Sequence, residues 1–177
     1  MSEFIDYVRS LPKAELHLHI EGTLEPSMLM ELAKKHQVDL PYSTAADVER
    51  AYDFEDLQSF LDLYYLGASV LIDEDDFYSL MFRYLERCRD EGIVHTEMMF
   101  DPQTHTERGI GFSVFMRGFG RAIEDAKGQW GQSSSLIMCF LRHLPEESAF
   151  ETLKAAEPFK SQISSVGLDS SELGHPP

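Results

Sequence analysis

Two histidines, His17 and His19, stand one residue apart in residues 17–22 (HLHIEG) and are well suited to metal chemistry. The preceding residues predict a strand over 14–19, in which alternate side chains share a face. Both imidazoles then point the same way, just before a glycine, and form half of a divalent-metal site. The alternative of two unrelated histidines at a strand end stays open, because zinc is usually held by three or four ligands.

The elements that must position these histidines alternate between strands and helices. Strands are predicted over residues 14–19, 93–100, 136–141 and 163–168. Helices are predicted over residues 26–36, 54–70, 73–92 and 146–160, with a short helix at 45–51. A further long helix is predicted from Ser113 to about Gly128. Thr23 is the predicted cap of the first of these helices, and Ser113 is the predicted cap of the long one. This alternation is typical of parallel strands with helical crossovers. Four such strands fit half of an eight-stranded barrel or a small open sheet, and polar residues at their carboxyl ends favour the barrel.

Composition limits the class of protein. The chain has 177 residues, enough for one domain over residues 1–177, and its net charge of -16 disfavours partners such as nucleic acid or an anionic membrane. Its two cysteines, Cys88 and Cys139, are expected to be buried and unpaired, which is typical of a reducing compartment. We find neither a signal peptide nor an apolar run long enough to span a membrane, and we expect a cytoplasmic protein.

Residues 11–23 (LPKAELHLHIEGT) closely resemble the opening of the adenosine and adenine deaminases of the amidohydrolase superfamily. A second segment, residues 166–177 (VGLDSSELGHPP), resembles the adenine-specific branch more than the adenosine-specific one. The resemblance covers the whole chain. It implies an α/β fold, the N-terminal half of a (β/α)8 TIM-type barrel, with four parallel strands and a helical insertion after the first.

The resemblance also implies a reaction. His17 and His19 match two ligands of a zinc ion that activates water for attack on C6 of a purine. Adenine would give hypoxanthine and ammonia, a purine-salvage reaction. The partner is then a small purine base.

Four residues are implied to bind the substrate: Glu21, Gly22, Asp169 and Glu172. Glu21 is longer than the aspartate found in many adenosine-specific members, so it would reach into the space of a ribose. Gly22 would allow a tight turn beside the metal, and Gly167 close packing near a strand end. Glu172 could accept a hydrogen bond from a purine N–H that adenosine lacks, or could instead cap the next helix.

Other residues have less certain roles. The insertion of the family lids the pocket with apolar groups, and Phe54, Leu57, Phe60 and Leu61 are the candidates, although such a stripe is more often ordinary core. Four of the other histidines match no zinc ligand of the family. These are His36 at a helix end, His95 inside a strand, His105, which could line the pocket, and His143.

The family has further groups that this sequence lacks: a third zinc histidine, a His-Ala-Gly-Glu motif with the proton-shuttling glutamate, another histidine and a late aspartate pair. We expect that glutamate after residue 177, no catalytic residue within the chain, and little activity from the chain alone. Three alternatives stay open. They are an adenosine deaminase, a non-catalytic half-barrel that self-associates through its open edge, and a zinc amidohydrolase acting on a cyclic amide.

Overall fold

A parallel four-stranded sheet organises the computed structural model, which describes residues 2–175. The strands β1 (Lys13–His19), β2 (Ile93–Phe100), β3 (Ser133–Leu141) and β4 (Ile163–Asp169) lie side by side in sequence order. Each neighbouring pair is parallel, so all four carboxyl ends meet at one edge. The predicted α/β architecture of four parallel strands with helical crossovers, half of a (β/α)8 barrel, is confirmed.

Eight α-helices and two 3-10 turns connect or precede the strands in the described residues. The helices are α1 (Ser2–Ser10), α2 (Pro26–His36), α3 (Ala45–Arg50), α4 (Leu57–Ala68), α5 (Glu74–Asp90), α6 (Pro102–Thr106), α7 (Phe112–Trp130) and α8 (Glu146–Ala156). The 3-10 turns are Ile20–Thr23 and Glu157–Phe159. Between residues 2 and 175, none of the helices combines the length and the apolar character that crossing a membrane requires.

The core lies between one face of the sheet and the pair α5 and α7. Phe77 on α5 and Phe119 on α7 meet edge to face, with ring centroids 5.6 Å apart, above Phe100 of β2. The two helices approach so closely at Gly118 that a Cβ there would lie 2.6 Å from the carbonyl oxygen of Glu74. This packing leaves the other face of the sheet free for the site.

Several predicted boundaries need correction. Thr23 does not cap α2; its hydroxyl donates to the Ile20 carbonyl inside the 3-10 turn, and Glu25 is the N-cap. Ser113 lies inside α7, which Gly111 precedes. The long insertion helix begins at Leu57 rather than Phe54, because Asp56 forms a capping box with Ser59.

Two short helices were not predicted. Helix α1 precedes β1, and α6 follows β2 after a single residue, Asp101. Helix α6 begins with Pro102, which suits a first helical turn, and this was the available signal.

Candidate functional site

A cavity of about 590 Å³ lies at the carboxyl edge of the sheet. Its walls include His17 and His19 of β1, Met99 of β2, Cys139 of β3 and Asp169 of β4. Every strand therefore contributes to the wall, as expected at the rim that carries chemistry in a parallel barrel.

A bulge in β1 brings the histidines onto the cavity face. The register against β2 shifts between Glu15 and Leu18, and Leu16 within the bulge is 56% exposed. Leu18 packs against the core, while His17 and His19 on either side of it face the cavity. Bulges often redirect side chains next to active sites. The predicted shared face of the two imidazoles is confirmed.

His19 lies within a cluster that could hold a metal ion, together with Asp101 and Asp169. Its Nδ1 is 3.4 Å from Asp169 Oδ2 and 3.9 Å from Asp101 Oδ1, and the His17 and His19 ring centroids are 6.0 Å apart. Both oxygens of Asp169 and Oδ1 of Asp101 are buried with no hydrogen-bond partner among residues 2–175. A mixed set of imidazole nitrogens and carboxylate oxygens fits zinc.

The pKa values in this cluster are strongly perturbed. The neighbouring carboxylate of Asp101 raises the pKa of His19 against the opposing effect of burial. Burial, followed by the charge of Asp101, raises the pKa of Asp169 to about 8. Burial is the largest single influence on Asp101 and acts to raise its pKa, but the contacts with His19, Asp169 and Tyr64 together outweigh burial and lower that pKa. Shifts of this kind are typical of functional sites, where charges are concentrated out of water.

Glu21 is buried behind the cavity rather than solvated, with 2% of its surface exposed. Its Oε1 accepts from the backbone N–H of Asp101 at 3.1 Å and lies 3.0 Å from His105 Nε2. Its Oε2 accepts from the Tyr64 hydroxyl at 3.1 Å. The predicted contact between Glu21 and a substrate stays a prediction, since the structure gives both of its oxygens protein partners.

Tyr64 joins this network to the rim. Its hydroxyl lies 2.9 Å from Asp101 Oδ2, and burial, with Glu21 and Asp101 nearby, raises its pKa well above the ordinary value. The phenol therefore stays protonated and able to donate.

The insertion forms the outer wall. Leu57, Phe60 and Leu61 line the cavity, whereas Phe54 lines a smaller neighbouring one. The Tyr65 hydroxyl is 2.6 Å from Ser170 Oγ and so ties α4 to the loop after β4. Ser170 has φ 78°, a left-handed conformation that a serine adopts only at some cost.

The remaining predicted residues have clear positions. Gly22 and Glu172 line the cavity, and the Glu172 side chain is 70% exposed, with its carboxylate 4.0 Å from Arg142. Gly22 does lie in a turn, but it is not among the residues with positive φ, so that turn does not require glycine. At Gly167 a Cβ would be 2.7 Å from Cys139 Sγ, which supports the predicted close packing.

The other histidines lie outside the cavity wall. His105 is fully buried and does not line the cavity, contrary to its suggested place there, because α6 turns its ring inward to Glu21. His95 is hydrogen-bonded to Ser133, and His36 ends α2 as expected. The last two residues of the second motif, Pro176 and Pro177, lie outside the described residues.

Sequence reasoning missed Asp101 and Tyr64. Asp101 follows β2 immediately, so its position at a strand end was the available signal. Tyr64 lies among the apolar residues of α4, and nothing in the spacing indicates that its hydroxyl reaches two carboxylates.

Comparison with known proteins gives a consistent family. The family model described as Adenosine deaminase matches residues 12–177. The adenine deaminase of Hahella chejuensis is 57% identical over 172 residues, which are 97% of this chain and 52% of that protein. That of Psychrobacter cryohalolentis is 58% identical over 173 residues, 98% of this chain and 52% of the relative. The chain thus spans about half the length of the curated relatives it matches.

Solved structures share the fold. The adenine deaminase of Arthrobacter aurescens superposes with a TM-score of 0.89 at 44% identity, covering 93% of this chain and 50% of that one. A zinc-bound amidohydrolase from Burkholderia ambifaria gives a TM-score of 0.87 at 19% identity, covering 100% and 49%, a likeness of fold alone.

Proposed function

Because this chain belongs to the adenosine deaminase family, we propose that it supplies the metal-holding wall of a site that hydrolyses adenine to hypoxanthine and ammonia. One observation carries the proposal. His17, His19, Asp169 and Glu172, separated by up to 155 positions in sequence (172 less 17), line a single cavity at the carboxyl edge of the sheet.

In this proposal His17 and His19 would hold a zinc ion. Both oxygens of Asp169 and Oδ1 of Asp101, which accept no hydrogen bond from residues 2–175, would be available to it. Zinc in such a site supplies an activated water nucleophile at neutral pH. Leu57 and the rest of the apolar wall on α4 keep bulk water away from the purine.

Glu172 is the proposed specificity residue. Its exposed carboxylate at the cavity rim is free to accept a hydrogen bond from the N9–H of adenine. Adenosine carries ribose on N9 and cannot donate there. The hydrogen bond would therefore favour the free base over the nucleoside, since a hydrogen bond to a charged group contributes about 1.5–3 kcal/mol.

We also propose a cytoplasmic location and a role in purine salvage. The location is supported by Cys88 and Cys139, both buried and unpaired, which suits a reducing compartment. Purine salvage follows from the proposed product, a free purine base.

The test is a chimera that joins residues 1–177 to the remaining C-terminal part of the Hahella chejuensis relative. Ultraviolet absorbance would follow adenine and adenosine side by side with zinc present. We expect adenine turnover that is lost in the His17→Ala variant. A folded chimera that is silent on adenine, while the Hahella parent is active, would contradict the proposal. Faster turnover of adenosine would favour the adenosine-specific alternative.

Glu172→Ala should lower kcat/KM for adenine by about 10-fold without changing Tm, because the proposed hydrogen bond to an exposed carboxylate is lost. Glu151→Ala is the matched control, since that carboxylate is exposed on α8 outside the cavity wall. Equal adenine activity of the Glu172 and Glu151 variants would remove Glu172 from the site.

A further inference from the structure

Three linked side chains, Arg108 at the surface and His105 and Glu21 in the interior, connect the end of α4 to the residues around the cavity. The Arg108 guanidinium donates to the carbonyl oxygens of Ala68 at 2.9 Å and Ser69 at 3.0 Å, where α4 ends. It also lies 3.0 Å from Nδ1 of His105. These contacts fix Arg108 to the insertion whose apolar side chains form the outer cavity wall.

The contact with Arg108 assigns the tautomer of His105. Arginine has only donors, so Nδ1 of His105 must present its lone pair. In the neutral ring the hydrogen is then on Nε2, which donates to Glu21 Oε1 at 3.0 Å. His105 is 0% exposed and its ring packs edge-on against Phe77, with centroids 4.9 Å apart. The ring has no room to turn toward solvent.

Glu21 connects His105 to Asp101 at the carboxyl edge of the sheet. The same Oε1 accepts the backbone N–H of Asp101, and Oε2 accepts from the Tyr64 hydroxyl, which also reaches Asp101 Oδ2. A shift of the Glu21 carboxylate would therefore move both the backbone and the side chain of Asp101, which faces His19.

We propose that His105 and Arg108 are positioning residues of the deaminase site, which hold Glu21 and, through it, Tyr64 and the Asp101 carboxylate that faces His19. The inference rests on the proposed function. Neither His105 nor Arg108 lines the cavity, so both act on the site through Glu21. Outer partners of metal-site residues commonly change activity or metal affinity by about 10–100-fold when removed.

The experiment compares His105→Gln with His105→Leu in the chimera. The glutamine amide keeps a donor near the position of Nε2, whereas leucine fills a similar volume without one. We expect His105→Leu to lower kcat for adenine by about 10–100-fold with KM within about twofold, since His105 does not touch the substrate. His105→Gln should recover most of that loss. His95→Leu, at a half-buried histidine on β2 outside the cavity, is the matched control.

Retention of full kcat in His105→Leu, or an equal loss in both His105 variants at unchanged Tm, would overturn the inference while leaving the proposed function intact. A wild-type chimera silent on adenine would instead defeat the proposed function, and with it the site that these residues serve.

A second measurement reads the network without any substrate. In the 177-residue chain labelled with 15N-histidine, NMR should show His105 protonated at Nε2 and unprotonated at Nδ1. The Nε2 proton should be protected from exchange, and Glu21→Gln should remove that protection. A proton on Nδ1 would overturn the assignment, because Arg108 would then face a donor.

Discussion

Two clusters of one histidine and two aspartates lie at different places in this fold. We call His19, Asp101 and Asp169 the rim cluster, and His36, Asp73 and Asp76 the cap cluster. In the cap cluster, Asp76 accepts from Lys35 at 2.7 Å, from His36 at 2.7 Å and from two backbone N–H groups at the start of α5. In the rim cluster, three carboxylate oxygens have no partner among the described residues. The two clusters therefore share residue types but differ in how many hydrogen-bond partners their carboxylate oxygens have.

The pKa values of the aspartates also differ between the two clusters. Burial and Asp101 raise the pKa of Asp169 to about 8 in the rim cluster. In the cap cluster, partial burial acts to raise the pKa of Asp73, but the contacts with Lys35, the backbone N–H of Asp76 and His36 together outweigh burial and lower that pKa. Lys35 already supplies the positive charge that the rim cluster would gain only from a bound cation.

The largest effect should come from removing a rim histidine. His19→Ala should weaken zinc binding by the chimera by more than about 100-fold, because losing a ligand costs more than the 10–100-fold typical of an outer partner. Competition with a chromogenic chelator measures it. His36→Ala is the control from the cap cluster and should leave the zinc affinity unchanged. If the two variants bound zinc equally well, the comparison between the clusters would fail.

Removing Asp76 from the cap cluster should lower the stability of the fold rather than the affinity for zinc. Asp76→Ala deprives Lys35 and His36 of a buried partner, and we expect a loss of about 3 kcal/mol in the free energy of unfolding. Urea titration of the chain measures it, with zinc affinity of the chimera unchanged. Asp75→Ala, one position earlier and paired only with Arg121 at the surface, should cost less than about 1 kcal/mol. A similar cost for both variants would contradict the role given to Asp76.

A substitution at Gly167, in the wall of the cavity, should have an intermediate effect on stability. Gly167→Ala would place a Cβ 2.7 Å from Cys139 Sγ, and overpacking of this kind costs about 1–3 kcal/mol. Cys139→Ala removes the sulfur, so the double variant should regain part of the loss in a double-mutant cycle. Additive losses would mean that the sulfur is not what excludes a larger residue.

The smallest effect should be a pH dependence from Asp73. Its pKa is lowered in the folded state, so its stabilisation is present above its unfolded pKa and is lost as the pH falls through the folded one. Asp73→Asn keeps the N-cap and should cost under about 1 kcal/mol at pH 7, since the side chain is 47% exposed. The difference from wild type should vanish in acid titrations. A difference that persists at pH 2 would assign the effect to something other than charge.

Much of the fold could be predicted because local signals agreed with tertiary structure. The strand over Ile93–Phe100 and the helix over Pro26–His36 were predicted with their observed bounds, since apolar period and flanking glycine or proline coincide there. The prediction of a helix cap was wrong where the side chain has another local hydrogen-bond partner. Thr23, for example, bonds back to Ile20.

The site was only partly predictable, since the residues that line it come from distant strands. His17 and His19 could be paired from their spacing alone, but the bulge that turns them onto the cavity face depends on pairing with β2. The partners of Glu21 depend on how α4 and α6 pack, so its burial had no signal in the sequence.

The most direct measurement is a zinc-edge anomalous difference map from crystals of the chimera grown with zinc. We expect one strong peak between His17 and His19, on the side of the cavity where Asp169 lies. A peak between His36, Asp73 and Asp76, or no peak beside His17 and His19 in a zinc-loaded protein that deaminates adenine, would contradict this expectation.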